Sequence, residues 1–374
     1  MLVVTRLLVA LAIVGFLSGD LDAAQKSASE LSEVAARTNL SYQKAWAALT
    51  RAITSFHTGR LSEAIEQFSL CAERRFDFEY RAAADALAGK ALCSYFLGNA
   101  ESAIEAIDES LEFAAITHNA ECAMVAESCQ ARLALLLRRT DAALRLARSA
   151  DITPYPPGMV FWIEIPELTQ LRILIVAGTD AERQESLGVL TDIRSQAESL
   201  NLVNRVIEIS VLNALALEKL GRIAEANIAL IEAVGLAAPN GWIQLFIEAG
   251  EPLVGKLAGI AEIGEHRQFI RRVLTAYDEF VAVATPVTHG TFAVPHALGR
   301  AALNELTNRE LDILELLAQR LRNKEIAARL NISTYTVKDH LKHVYQKLEV
   351  SNRRDAVARA ASSGLLKESS PAQS

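Results

Sequence analysis

Gly59-Arg60-Leu61-Ser62-Glu63-Ala64 decides the fold, because it recurs along the chain. Gly98-Asn99-Ala100-Glu101-Ser102-Ala103 and Gly221-Arg222-Ile223-Ala224-Glu225-Ala226 match it closely, and weaker copies start at Arg138 and Gly178. The copies start at positions 59, 98, 138, 178 and 221, a nearly constant period. Each copy reads as the corner of a helical hairpin: one helix stops at a residue suited to the left-handed cap, usually Gly, and, except in the weak Gly178 copy, an Ala five positions on lets the next helix pack closely.

Outward from these corners, residues 1–280 carry apolar side chains at helical spacing almost throughout, so the body is expected to be all-α. The period exceeds that of an ideal tetratricopeptide repeat, which predicts longer helices in a TPR-like helical-hairpin superhelix. Pro154, Pro156, Pro157 and Gly158 interrupt the array and are expected to form a loop or bend that could border a ligand groove. The apolar run within residues 1–17 is short for a membrane span, and Ser18–Ala24 contains two Asp and no clean cleavage site, which favours a core helix that begins the array. The alternative for these residues is an inner-membrane tether. Cys71, Cys93, Cys122 and Cys129 show neither CxxC nor metal-ligand spacing and read as reduced thiols packed in a cytoplasmic protein.

Charge divides the chain. Residues 304–367 hold 12 Lys and Arg against 8 Asp and Glu, which leaves 26 against 37 elsewhere, so an acidic body carries a basic C-terminal part. Residues 281–303, with Pro286, Gly290, Pro295 and Gly299, read as a linker, 304–366 as a small four-helix domain, and 367–374 as a disordered tail.

In the C-terminal domain Thr307-Asn308-Arg309-Glu310 has the form of a capping box and starts a first helix that ends near Arg320. A second helix over 323–330 buries Ile326, Ala327 and Leu330. Asn331-Ile332-Ser333 makes the turn, and Ser333 caps a third helix over 334–348. Val337, Leu341, Val344 and Leu348 form the core stripe of that helix. Thr334, Tyr335, Lys338, Asp339 and Lys342 occupy the opposite, polar face. That is the arrangement of a recognition helix, in which Lys338 and Lys342 can donate to guanine and Asp339 can accept from cytosine or orient a lysine. A fourth helix over 353–361 packs Ala356, Val357 and Ala360.

The wording Leu306-Thr-Asn-Arg-Glu310, Asn323-Lys-Glu-Ile-Ala327, Ile332-Ser333, Thr336-Val-Lys-Asp-His340, Lys347-Leu348 and Arg353 resembles the LuxR-type helix-turn-helix domain over its whole length. The resemblance implies a sequence-specific regulator that binds double-stranded DNA, usually as a homodimer. By position it implies base reading by Lys338, Asp339 and Lys342, beside Tyr335 and Thr334. Asn323, Lys324, Arg322, Thr336, Lys347 and Arg353 are implied as phosphate or positioning contacts. Two departures are Arg320, where the family has Gly, and Arg322, where it has a capping Ser or Thr; Asn323 is expected to take over that cap.

Gly241-Trp-Ile-Gln-Leu-Phe-Ile-Glu-Ala-Gly250-Glu-Pro-Leu253 and Phe269-Ile-Arg-Arg-Val-Leu-Thr-Ala-Tyr277 resemble the end of the sensor region of large MalT-like regulators, which join an ATPase, a TPR-like superhelix and a LuxR-type domain. The present sequence is too short to contain that ATPase as well. Gly250-Glu-Pro-Leu-Val-Gly255-Lys256 approaches a phosphate loop, but Leu257 replaces the Ser or Thr that would hold magnesium, and no strand precedes it. No catalytic set emerges, and no cofactor or metal site is expected.

The expected function is transcription regulation, with a small-molecule or protein effector at the helical body and RNA polymerase as a further partner. The alternative is a TPR-like interaction scaffold with weak DNA binding.

Overall fold

The computed structural model describes residues 2–38, 41–76, 79–150, 161–260 and 265–284, and in the C-terminal part 313, 314, 316–318, 321–329, 337, 338, 341, 344, 350, 353 and 355–357. The Pro154–Gly158 interruption, the Thr307–Glu310 capping box, the Asn331–Ser333 turn and residues 367–374 lie outside them. All regular structure among the described residues is helical, and the chain divides into two compact units, Met1–His289 and Gly290–Ser374.

The first unit is a run of helical hairpins: α1 (Leu2–Leu17) with α2 (Leu21–Thr38), α3 (Ser41–His57) with α4 (Leu61–Glu73), α5 (Tyr80–Phe96) with α6 (Ala100–Thr117), and α7 (Ala120–Leu136) with α8 (Thr140–Ser149). Two more follow, α9 (Pro166–Ala177) with α10 (Asp180–Ser199) and α11 (Val203–Lys219) with α12 (Ile223–Ala237). The odd-numbered helices touch one another in sequence and form an inner layer, and each even-numbered helix lies outside it. The residue pattern follows this layering. α5 and α11 are buried nearly all round, Arg81, Asp85, Asn204 and Arg205 included, whereas α6 and α12 bury a single stripe.

The corners have the expected form. At Gly59, Gly98 and Gly221 the backbone is left-handed, and the next N–H reaches back five residues: Arg60 to Ser55 at 2.8 Å, Asn99 to Ser94 at 2.9 Å and Arg222 to Leu217 at 2.9 Å. These are Schellman closures, which satisfy carbonyls left over at the helix end. Arg138 closes its corner in the same way with φ 59, a left-handed conformation held by a residue other than glycine. The small residues five positions on, Ala64, Ala103, Ala143 and Ala226, have no exposed surface.

Two corners differ from the sequence reading. Gly178 is extended, with φ −75, and leads straight into Thr179, which caps α10 through a capping box with Glu182. Glycine is needed there for space, since a Cβ would lie 2.4 Å from the Leu174 carbonyl oxygen. An additional corner stands at Gly19, φ 80, where Asp20 N–H reaches Gly15 O at 2.8 Å. It lies one repeat period before Gly59, so α1 and α2 are a full member of the array. α1 buries Thr5, Leu8, Ala12 and Phe16 against it. No described helix is long and apolar enough to cross a membrane.

The array coils until it meets itself. A Cβ at Gly19 would lie 2.9 Å from Val203 Cγ1, one at Gly59 3.6 Å from Ile243 Cγ2, and one at Gly98 2.7 Å from the Val283 carbonyl oxygen. Each partner follows its glycine at nearly the same interval along the chain, so successive turns of the superhelix join along one seam. Trp242 Nε1 donates to Gly19 O at 2.9 Å, and Ile243 N to His57 O at 2.8 Å, on the same seam. Three helices complete the unit: α13 (Gln244–Ala249), α14 (Glu251–Ile260) and α15 (Arg267–Val283). On α15 Phe280 packs against Tyr95 and Phe96, with ring centroids 5.8 and 5.2 Å away, and brings Val283 to the Gly98 corner. The stretch resembling a phosphate loop is the start of α14, and Lys256 pairs with Glu218 at 3.1 Å.

Candidate nucleic-acid interface

In the second unit a small apolar core orients the charged residues. Ile313, Leu314, Leu316 and Leu317 pack with Ile326, Ala327, Val337, Leu341, Val344 and Ala356, and Leu321, Val350 and Val357 close the edge. Leu321 N donates to Leu316 O at 3.3 Å, a five-residue closure of the kind that ends a helix. The second helix of this unit, α16 (Asn323–Arg329), then begins.

Its start departs from the sequence reading. Arg322 occupies the cap position: its carbonyl accepts from Glu325 N at 2.8 Å and Ile326 N at 3.0 Å, and its N–H donates to Glu325 Oε2 at 2.6 Å. Glu325 therefore supplies the half of a capping box that needs no hydroxyl. Asn323 becomes the first helical residue instead of the cap, and the Arg322 side chain is left exposed.

Val337, Leu341 and Val344 are helical and buried, at spacings of four and three. Lys338 follows buried Val337 and is exposed, so it projects from the edge of the face turned away from the core. Lys324 is exposed and Asn323 half-buried on the first turn of α16. Arg353 is half-buried, and its Nη2 donates to Leu317 O at 3.0 Å and Leu321 O at 2.8 Å. One guanidinium thus fastens the segment around 353 to the carbonyl end of the first helical stretch. Thr334, Tyr335, Thr336, Asp339, Lys342 and Lys347 lie outside the described residues.

The body holds a second polar assembly, which the sequence did not disclose. Between α8 and α9 the extended stretch Phe161–Ile165 passes the inner helices. The Asp85 carboxylate accepts from Ile163 N at 2.9 Å and Glu164 N at 3.0 Å, and Arg81 Nη2 donates to Glu164 O at 2.7 Å. Arg132 grips Glu248 with Nε at 2.6 Å and Nη2 at 2.5 Å, and reaches Glu164 Oε2 with Nη1 at 2.8 Å. Arg172 pairs with Glu208 at 2.8 Å. Ser128 and Thr169 each donate to Glu164 Oε1 at 2.6 Å.

Burial opposes the charge on Glu248, yet Arg132 and Arg172 outweigh it and hold the carboxyl at about 2. Asp85 goes the other way, pushed up to about 6 by burial despite Arg81 and its two backbone donors. His57, buried among Phe16, Phe56 and Trp242, is lowered to about 3 by burial and then by Arg132. All four cysteines are free and buried, with the Cys71 thiol pushed up to about 12 by burial.

Comparison with known proteins agrees with both units. A family model described as the MalT-like TPR region matches residues 69–261, and one described as bacterial regulatory proteins of the luxR family matches 304–360. The HTH-type transcriptional regulator MalT of Yersinia enterocolitica is 29% identical over 204 residues, which cover 50% of this chain and 22% of that protein. The Klebsiella pneumoniae protein of the same name is 31% identical over 182 residues, 46% of this chain and 20% of the relative. That of Cronobacter sakazakii is 31% identical over 202 residues, 50% and 22% respectively. The chain spans about a fifth of the length of the curated relatives it matches. With a TPR-like body followed by a helical luxR-family DNA-binding domain, the chain belongs to the MalT-like TPR family.

Proposed function

We propose that this chain is a cytoplasmic, sequence-specific transcription regulator that reads double-stranded DNA with the helix over residues 334–348. Lys338, Asp339 and Lys342, with Thr334 and Tyr335, read base edges. Arg322, Asn323, Lys324, Thr336 and Lys347 hold the phosphate backbone, and Arg353 positions the domain from within. One observation carries this reading: exposed Lys338 stands directly beside the buried Val337–Leu341–Val344 stripe, in a segment that matches the luxR family. A core stripe with a cation at its edge gives a helix one side for the domain and another for the groove.

The body, residues 1–280, serves as the sensor or interaction part, joined through 281–303 to the reading domain at 304–366. Binding of a small molecule or protein there alters access to DNA or pairing of two copies on it, and the bound regulator meets RNA polymerase.

The test is binding to selected genomic fragments across a salt series. The expected log–log slope is about −0.9 per phosphate contact. Lys338→Ala should relax sequence preference by about 1–3 kcal/mol of discrimination, while Lys324→Ala should weaken all sequences alike and reduce the slope by about one contact. Absence of preference for any fragment at moderate salt would sink the proposal.

A further inference from the structure

The link between α8 and α9 differs from the other links between hairpins. The chain passes from Thr38 to Ser41, from Thr117 to Ala120 and from Ser199 to Val203 within a few residues, but it runs from Ser149 to Pro166 before α9 begins. Links ordinarily cross the surface of a domain. The end of this one turns inward, and Phe161, Ile163, Glu164 and Ile165 are at most 5% exposed.

Phe161–Ile165 lies on the inner layer in the manner of a bound peptide. The Phe161 ring stands 5.0 Å from Phe16 on α1 and 6.3 Å from Trp46 on α3, and Arg81 on α5 covers the Trp162 ring at 4.8 Å. Its backbone is held by side chains in place of a neighbouring strand or helix. Asp85 and Arg81 grip it as described above, and Arg132 on α7 donates from Nη1 to Ile163 O at 3.1 Å. Such backbone groups are common to every extended peptide. What distinguishes one peptide from another is the ring site between Phe16 and Trp46 and the carboxylate site, where Ser128, Thr169 and Arg132 meet Glu164.

We propose that the inner face of α1, α3, α5 and α7 is a site for an extended peptide, filled here by the chain's own Phe161–Ile165, and that its partner is a protein segment carrying an aromatic residue three positions before a glutamate. Such a segment displaces the native one by offering the same ring, the same carboxylate and the same backbone groups, so no buried charge is stranded by the exchange. A segment without the glutamate leaves Ser128, Thr169 and one arm of Arg132 without an acceptor, which selects against it. The tethered copy competes at an effective concentration of roughly millimolar, so free peptide binds the wild-type chain weakly. This names a partner class for the interaction part proposed above and rests on that reading. The test runs without DNA, so a failure of DNA recognition leaves its outcome unaffected.

Fluorescence anisotropy of a labelled peptide copying Met159–Ile165, with the full chain as receptor, tests this. Trp162→Ala with Glu164→Gln weakens the tethered copy, and this variant should bind the peptide with a Kd of about 10 µM, at least roughly tenfold more tightly than the wild type. The same peptide with Glu164→Lys should bind at least roughly tenfold more weakly. Circular dichroism and thermal melting establish that the variant is folded. Where it is not, hydrogen exchange of the wild-type chain decides: about 1 mM peptide should speed exchange of the Ile163 and Glu164 amides by about a hundredfold, because binding to the displaced state multiplies its population by 1 + [L]/Kd. The proposal is overturned if the folded variant does not bind the peptide, if wild type and variant bind it alike, if the lysine peptide binds as well, or if exchange at those two amides ignores the peptide.

Discussion

Two glycines in the same left-handed conformation serve different ends. Gly98, φ 84, holds its corner and also leaves room for the Val283 carbonyl of the next superhelical turn, whereas Gly221, φ 72, has nothing within 4 Å of the place a Cβ would take. Gly221→Ala should lower stability by about 1 kcal/mol, the strain of a left-handed alanine. Gly98→Ala adds a 2.7 Å approach to backbone, and should lower it by about 2–4 kcal/mol. Urea unfolding of the two variants checks this, and equal losses would show that the seam contributes nothing at Gly98.

The buried titratable groups set the response to acid. His57 is neutral in the fold down to about 3 but takes up a proton near 6.5 when unfolded, so it withdraws stability as pH falls below 6.5, by about 1.4 kcal/mol per unit. Asp85 has the opposite sign. Its folded value of about 6 exceeds 3.8, so its contribution favours the fold at low pH and is lost as pH rises through that window. Glu248, at about 2 against 4.5, favours the fold above pH 4.5 and withdraws that support below it. Stability should therefore be nearly level from pH 6 to about 4.5 and drop steeply further down. Asp85→Asn removes the compensation, and its stability should decline from pH 6.5 onward with a slope near one proton. A level profile in that variant would refute the assignment.

At the scale of elements, the hairpin corners were legible because a Schellman closure is local: a glycine and a small residue five positions later write it into six consecutive letters. Gly19-Asp20-Leu21-Asp22-Ala23-Ala24 makes the same corner with the same Gly and Ala five positions apart, so both this spacing and the repeat interval point to it. Gly178 misled because sequence cannot separate a glycine needed for its φ from one needed for its lack of a side chain. The charged interior was invisible for another reason. Arg132 finds Glu248 116 residues away, and nothing around either residue points to the other. In the second unit the core stripe was legible from its period, while the role of Arg353 depends on where two distant carbonyls end up. Arg353→Ala should lower the melting temperature of this unit through loss of about 2–3 kcal/mol of charge-assisted hydrogen bonding, and leave the salt slope of DNA binding unchanged. A reduced slope with an unchanged melting temperature would instead make Arg353 a phosphate contact.

For the whole molecule, the seam changes what kind of object the first unit is. An open array has free ends and only nearest-neighbour couplings, so it can fray one hairpin at a time. Here the first hairpin is bonded through Gly19 to Trp242, and α15, the last helix of the unit, sits on the corner of the third hairpin. The first hairpin should exchange its amide hydrogens as slowly as α11, and Trp242→Phe should speed exchange in α1 and α2 ahead of the rest. In mechanical language the body is a spring wound until its coils touch. It cannot be compressed further, and a load placed on Val283 bears on the Gly98 corner, far back along the polypeptide, as well as on the neighbouring α13 and α14.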